Sequence, residues 1–180
     1  MPNAREIKRT MKSLRIPSDR YPGDVMSLIG QMDEQLSYEQ CLAVMQEQGC
    51  CKDEGVTAPF KAFCVKYADK SITEKLEHFD EIESGHKPGC HLNSDGTLSI
   101  YWNGWDAERK QCVCRFVKRL YTNRGGPVHV SKTFCGCCAG HARNTIQCAL
   151  SVKLRLRDIV SSPISSGGKE QCEFLFEIIK

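Results

Sequence analysis

The chain has 180 residues, of which 41% are hydrophobic and 26% charged, and a formal net charge of +3. This length fits one domain or one domain with a helical appendage, and a mean hydropathy of −0.40 excludes disordered, collagen-like and coiled-coil classes. No run approaches the ~18 apolar residues needed to cross a bilayer, so no membrane partner is expected.

In chain order, the first 20 residues carry six basic side chains, no apolar segment, and the acidic Glu6 and Asp19. Neither a secretory signal nor a transit peptide is expected, and the expected location is cytoplasmic. Residues 1–90 hold 12 basic and 15 acidic side chains and read as a mainly helical part. Ser37-Tyr38-Glu39-Gln40 has capping-box form, Leu36, Cys41, Val44 and Met45 recur at helical intervals, and Gly49 offers a stop. A second helix is signalled by Ser71-Ile72-Thr73-Glu74, with Ile72, Leu76, Phe79 and Ile82 as its apolar stripe. Gly85, Pro88, Gly89 and Asp95-Gly96 mark residues 84–96 as loop and turn.

Residues 91–180 hold 13 basic and 7 acidic side chains and change to a period of two. Strands are predicted over 97–102 and 111–121, followed by a break at Gly125-Gly126-Pro127 and an extended piece over 128–134. A helix is predicted over 137–150. A half-buried strand over 151–158 then places Val152, Leu154 and Leu156 on one face, and Pro163 and Ser165-Ser166-Gly167-Gly168 supply a turn. A last strand over 171–179 puts Cys172, Phe174, Phe176 and Ile178 together. The expected fold class is α+β, with helices followed by an antiparallel sheet carrying one inserted helix, the two parts forming one compact unit.

Twelve cysteines carry most of the chemical information. A leaderless chain that can bury a core points to reduced thiols, and hence to metal or redox chemistry rather than a disulfide scaffold. Cys135-Gly136-Cys137-Cys138-Ala139-Gly140-His141 places three thiols and an imidazole within seven residues at a helix entry. On a helix Cys137, Cys138, His141 and Cys148 share a face, and a helix N-terminus lowers thiol pKa, which suits zinc or iron. Cys112-Val113-Cys114 on a strand presents two sulfurs to one side. With the Cys135 cluster it would complete a tetrahedral zinc site or a cysteine-held iron-sulfur cluster. Small buried hydrophobes and a reversible disulfide are the alternative readings.

The remaining candidates are weaker. Cys50 and Cys51 sit where a helix ends, and the dipole there does not favour thiolate. Cys90-His91 with His86 is a second metal candidate in a loop, while Cys41, Cys64 and Cys172 read as core. Arg109, Lys110, Arg115, Lys118, Arg119 and Arg124, with Phe116 and Tyr121 between them, read as a solvated strand face rather than a nucleic-acid surface. No Walker loop, G-x-G-x-x-G, G-x-S-x-G or H-E-x-x-H is present.

Residues 137–176 resemble the C-terminal half of the 4-vinyl reductase domain. The likeness rests on the Cys- and Gly-containing helix entry, the strand with Val152, Leu154 and Leu156, and the closing Cys172-Glu173-Phe174. It implies a small α+β domain that binds or senses a hydrophobic small molecule, with a cysteine-held zinc in some members. The family's zinc-binding members carry an E-x-x-C element before the final C-x-F, and Ser161 and Ile164 stand at those positions here. The C-x-C pairs also resemble an uncharacterised bacterial family of cysteine-rich proteins, from which no activity carries over. The expectation is a metal- and ligand-binding module whose metal residues are Cys112, Cys114, Cys135, Cys137, Cys138 and His141, with a homodimer left open. The alternative is a thiol or iron-sulfur redox enzyme using the same cysteines.

Overall fold

The computed structural model describes residues 22–48, 53–85, 87–102, 105–106, 111–112, 114, 117 and 130–179. Arg109, Lys110, Arg115, Lys118, Arg119 and Arg124, with Phe116 and Tyr121, lie outside the described residues, as do Gly49, Cys50, Cys51 and His86.

Helix α1 spans Pro22–Gln35 and α2 spans Tyr38–Met45. The capping box forms as its sequence predicts: the Gln40 amide donates to the Ser37 hydroxyl and the Ser37 amide to the Gln40 side chain. A 3-10 turn over Gln46–Gln48 follows, then α3 over Glu54–Lys66, whose Val56 amide is capped by the Asp53 carboxylate. Helix α4, Ile72–Glu77, starts at the second capping box, made by Ser71 and Glu74. It is shorter than the apolar stripe predicts, because the backbone leaves helical geometry at His78 and continues as a 3-10 turn over Phe79–Glu81.

Strands β1 (Gly89–Leu92), β2 (Thr97–Trp102), β5 (Lys153–Ser161) and β6 (Cys172–Ile179) form an antiparallel sheet in the order β1-β2-β6-β5. Strand β1 corrects the loop expected over 84–96. Gly96, at φ +81°, lets the chain fold back so that Cys90 pairs with Ile100 and His91 with Ser99. A second, two-stranded sheet joins β3 (Trp105–Asp106) to β4 (Gln111–Cys112), with Trp105 opposite Cys112.

Two further expectations are corrected near the cysteines. The strand predicted over 111–121 stops at Cys112, and Val117 is helical. Of the extended piece predicted over 128–134, residues 128 and 129 lie outside the described residues and its end is instead a 3-10 helix at Lys132–Cys135, started by the Thr133 amide donating to the Ser131 hydroxyl. That turn runs directly into α5, Gly136–Leu150.

Helices α3 and α5 pack together, and α5 covers one face of the sheet. Phe174 and Phe176 of β6, with Leu98 and Ile100 of β2, are fully buried against Ala142 and Ile146 of α5. Each such large side chain contributes about 1.5–3 kcal/mol of hydrophobic stabilisation. The alternation read for the strand after α5 holds until a bulge between Leu156 and Asp158, beyond which Ile159 takes the inward place. A second core joins α1 and α2 to the middle of the chain through Met32, Met45, Cys112, Val117 and Phe134. Ile164, in the turn between β5 and β6, packs against both cores. The architecture is α+β, N-terminal helices followed by a sheet with α5 inserted.

Candidate metal centre

Cys112 closes β4, and Cys114 lies beyond the strand. The Cys114 amide donates to the Cys112 sulfur at 3.4 Å. The two thiols are also hydrogen-bonded to each other, and this bond together with burial pushes the Cys112 pKa up.

Cys138, in the first turn of α5, brings a third sulfur from a different segment. Its thiol is hydrogen-bonded to Cys114, and this contact together with burial raises its pKa well above the ordinary thiol value. Cys135, at the end of the preceding 3-10 helix, is only 3% exposed. Burial pushes its thiol up to about 11, opposed by a hydrogen bond with the Ser162 hydroxyl. The Ser162–Ser165 turn holds that hydroxyl: the Ser165 amide donates to it at 3.1 Å, and the Ser162 amide donates to Ser165 Oγ at 3.1 Å. The lowering expected at a helix entry is thus overturned for Cys135 and Cys138, because burial and neighbouring thiols outweigh the helix dipole.

A fifth sulfur comes from a residue read as plain core. Cys172, the first residue of β6, is 2% exposed and pairs with Trp102 across the sheet. Its thiol is pushed up to about 12 by burial and then by negative charge at Cys135 and Cys114, while Cys112 in turn responds to Cys172. Cys112, Cys172, Cys135 and Cys138 therefore each feel the Cys114 sulfur electrostatically. These cysteines divide between the two cores: Cys135 and Cys172 belong to one, Cys112 to the other, and Cys138 and Cys114 pack at their edges. Cys172 is missed in the sequence because its alternation with Phe174 and Phe176 is an ordinary core pattern. The signal that could have found it is the pairing of β6 with β2, which only the fold supplies.

The other predicted residues take different places. Cys137 donates its thiol to the Gln48 carbonyl at 3.3 Å and lies near Cys138. His141 is 4% exposed, with its ring tilted 53° against Trp102 at 4.5 Å between centroids. Cys148 lies beside Lys61 and Cys64 of α3, ten residues along α5 from Cys138, which is about 15 Å of helix. The face predicted to unite Cys148 with His141 therefore serves two separate neighbourhoods. Cys90 and His91, being adjacent on β1, point to opposite faces of the sheet, so the second metal candidate does not assemble from them. Burial pushes the Cys90 thiol up to about 12.

As the side chains stand, no three His, Cys, Asp or Glu residues among those described are disposed around a common cation position. The described cysteines are free thiols. No helix among the described residues is long and apolar enough to cross a membrane. No family model, curated protein or solved structure matches the chain.

Proposed function

We propose that this protein is a metal-binding module whose cation is held by sulfur, with Cys112, Cys114 and Cys138 as the first ligands and zinc as the expected ion. The observation that carries this reading is the double thiol contact of Cys114. Its sulfur is hydrogen-bonded to Cys112 on one side and to Cys138, from a separate segment, on the other. Clustered thiolates select soft or borderline cations such as zinc, Cu(I) and iron-sulfur clusters. Exchanging thiol–thiol bonds for metal bonds requires these side chains to rotate between staggered rotamers about χ1. The 3.4 Å bond from the Cys114 amide to the Cys112 sulfur and the Ser162 hydroxyl at Cys135 are the kind of donors that orient and stabilise metal-bound thiolate.

The resemblance of residues 137–176 to the 4-vinyl reductase domain points the same way, since some members hold zinc with cysteines. With Ser161 and Ile164 in place of that family's Glu and Cys, residues 112–114 supply the missing sulfurs here. A hydrophobic small molecule is the signal such a module would sense. The thiol-redox alternative has less support. It needs a thiol of lowered pKa, and every described cysteine with a resolved shift is raised.

Purification without oxygen, followed by metal and sulfide analysis and an absorption spectrum of the same sample, tests the proposal. Near-stoichiometric zinc without colour is the expected result. Iron with sulfide and a brown spectrum would promote the iron-sulfur enzyme, and metal-free protein that takes up no added zinc would overturn the proposal.

A further inference from the structure

We infer that the outer edge of β5 is sealed by side chains that stand in for a fifth strand, and that the seal keeps a second copy of this chain from adding a strand there. Among the described residues β5 pairs with β6 alone, so the sheet ends at it. Alternate amides of an edge strand point away from the sheet and, left open, template the addition of another extended chain. On β5 the amides of Leu154, Leu156 and Ile159 turn away from β6, and each is taken. The Leu154 amide donates to Gln147 Oε1 at 2.7 Å, and the Leu156 amide to Gln46 Oε1 at 3.1 Å. The Ile159 amide is shared between the Asp158 carboxylate, at 2.8 Å, and the Tyr38 hydroxyl, at 3.3 Å.

The acceptors reach the edge from separate elements, so the row is a product of the fold rather than of one local turn. Gln147 lies on α5, Gln46 opens the 3-10 turn after α2, and Tyr38 begins α2. Tyr38 is itself fixed in place. Its hydroxyl donates to Asp158 Oδ1 at 2.7 Å, while Lys132 donates to the same oxygen at 3.3 Å and holds its ammonium 4.6 Å from the centre of the Tyr38 ring. The strand adds two devices of its own. Register shifts at Leu156/Asp158 and Ile159/Ser161 break the straight run that a partner strand would need, and the exposed Lys153 and Arg157 would set like charges against each other if two copies met edge to edge. The opposite edge, β1, is four residues long against nine for β5, so β5 is the edge on which a seal matters. Because Tyr38 and Gln46 belong to the helical first half, the packing of that half is what closes the sheet.

Amide hydrogen exchange in the full-length reduced chain, followed residue by residue by NMR, tests the seal in the wild type. The Leu154, Leu156 and Ile159 amides are expected to exchange no more than about a hundredfold faster than those of Phe174 and Phe176 on the central strand, and faster rates would overturn the inference. Gln46→Leu with Gln147→Leu keeps side-chain size and removes two acceptors. Sedimentation under reducing conditions should show this double variant self-associating at least about tenfold more tightly than wild type, whereas Ile100→Val, which loosens the core away from the edge, should match wild type. A folded double variant that associates no more than wild type or Ile100→Val would overturn the inference. Should the double variant fail to fold, Gln147→Leu alone, at a half-buried position, is expected to speed exchange of the Leu154 amide at least about tenfold, and an unchanged rate would contradict the seal.

Discussion

A methyl group at Gly140 would run into the carbonyl oxygen of Gln46, and one at Gly136 would lie 2.6 Å from Met45 Cβ. Gly136 lets α5 press against the end of α2 and Gly140 against the 3-10 turn, whose Gln46 side chain accepts the Leu156 amide at 3.1 Å and so links the turn to β5. Gly140→Ala is therefore expected to destabilise the fold by about 1–3 kcal/mol, read as a lower denaturant midpoint at unchanged slope. An unchanged midpoint would show that the turn can yield. Individual site residues were unequally legible. Cys112, Cys114, Cys135 and Cys138 stand out by sequence spacing, and in the fold they feel one another electrostatically without being disposed around a common cation position. The bond from the Cys114 amide to the Cys112 sulfur was not legible, because period-two alternation is indifferent to an amide that bonds a sulfur two residues back. Cys172 was hidden because a thiol and a small core residue have the same pattern.

The helices of the first half depend on local caps whose chemistry is titratable. Glu74 is held down to about 2 by the Ser71 hydroxyl, then by the Ser71 amide and Lys70. Glu81 is held down to about 2 by Lys66, then by the Tyr67 hydroxyl, with His78 adding to it. An unfolded glutamate titrates near about 4.3, so both carboxylates bind protons more readily in the unfolded chain. Their stabilisation is present above that value and lost as pH falls from there toward 2. A thermal midpoint that drops through this window is expected, with a shallower drop in the Glu74→Gln, Glu81→Gln double variant; equal acid slopes would contradict the assignment. Among the elements, both capping boxes, β2, α5 and β6 were readable from caps and alternation. Strand β1 was not, since Gly and Pro signals around Gly89 speak for a loop and only its pairing with β2 makes it a strand. The residues after Cys112 alternate like a strand, yet β4 ends there and Val117 is helical, a case of tertiary context overriding local pattern.

At the scale of the molecule, Ile164 touches both cores, and the cysteines that feel Cys114 are drawn from both: Cys135 and Cys172 from one, Cys112 from the other. A cation bound there would join the helical first half to the sheet. Because it binds the folded chain alone, it would stabilise by about 2.7 kcal/mol at a free concentration of about one hundred times Kd. X-ray absorption at the zinc edge, on protein loaded with one equivalent of zinc, tests the sulfur-held centre most directly. Sulfur neighbours alone at about 2.3 Å are predicted; a shell dominated by nitrogen or oxygen at about 2.0–2.1 Å would contradict it.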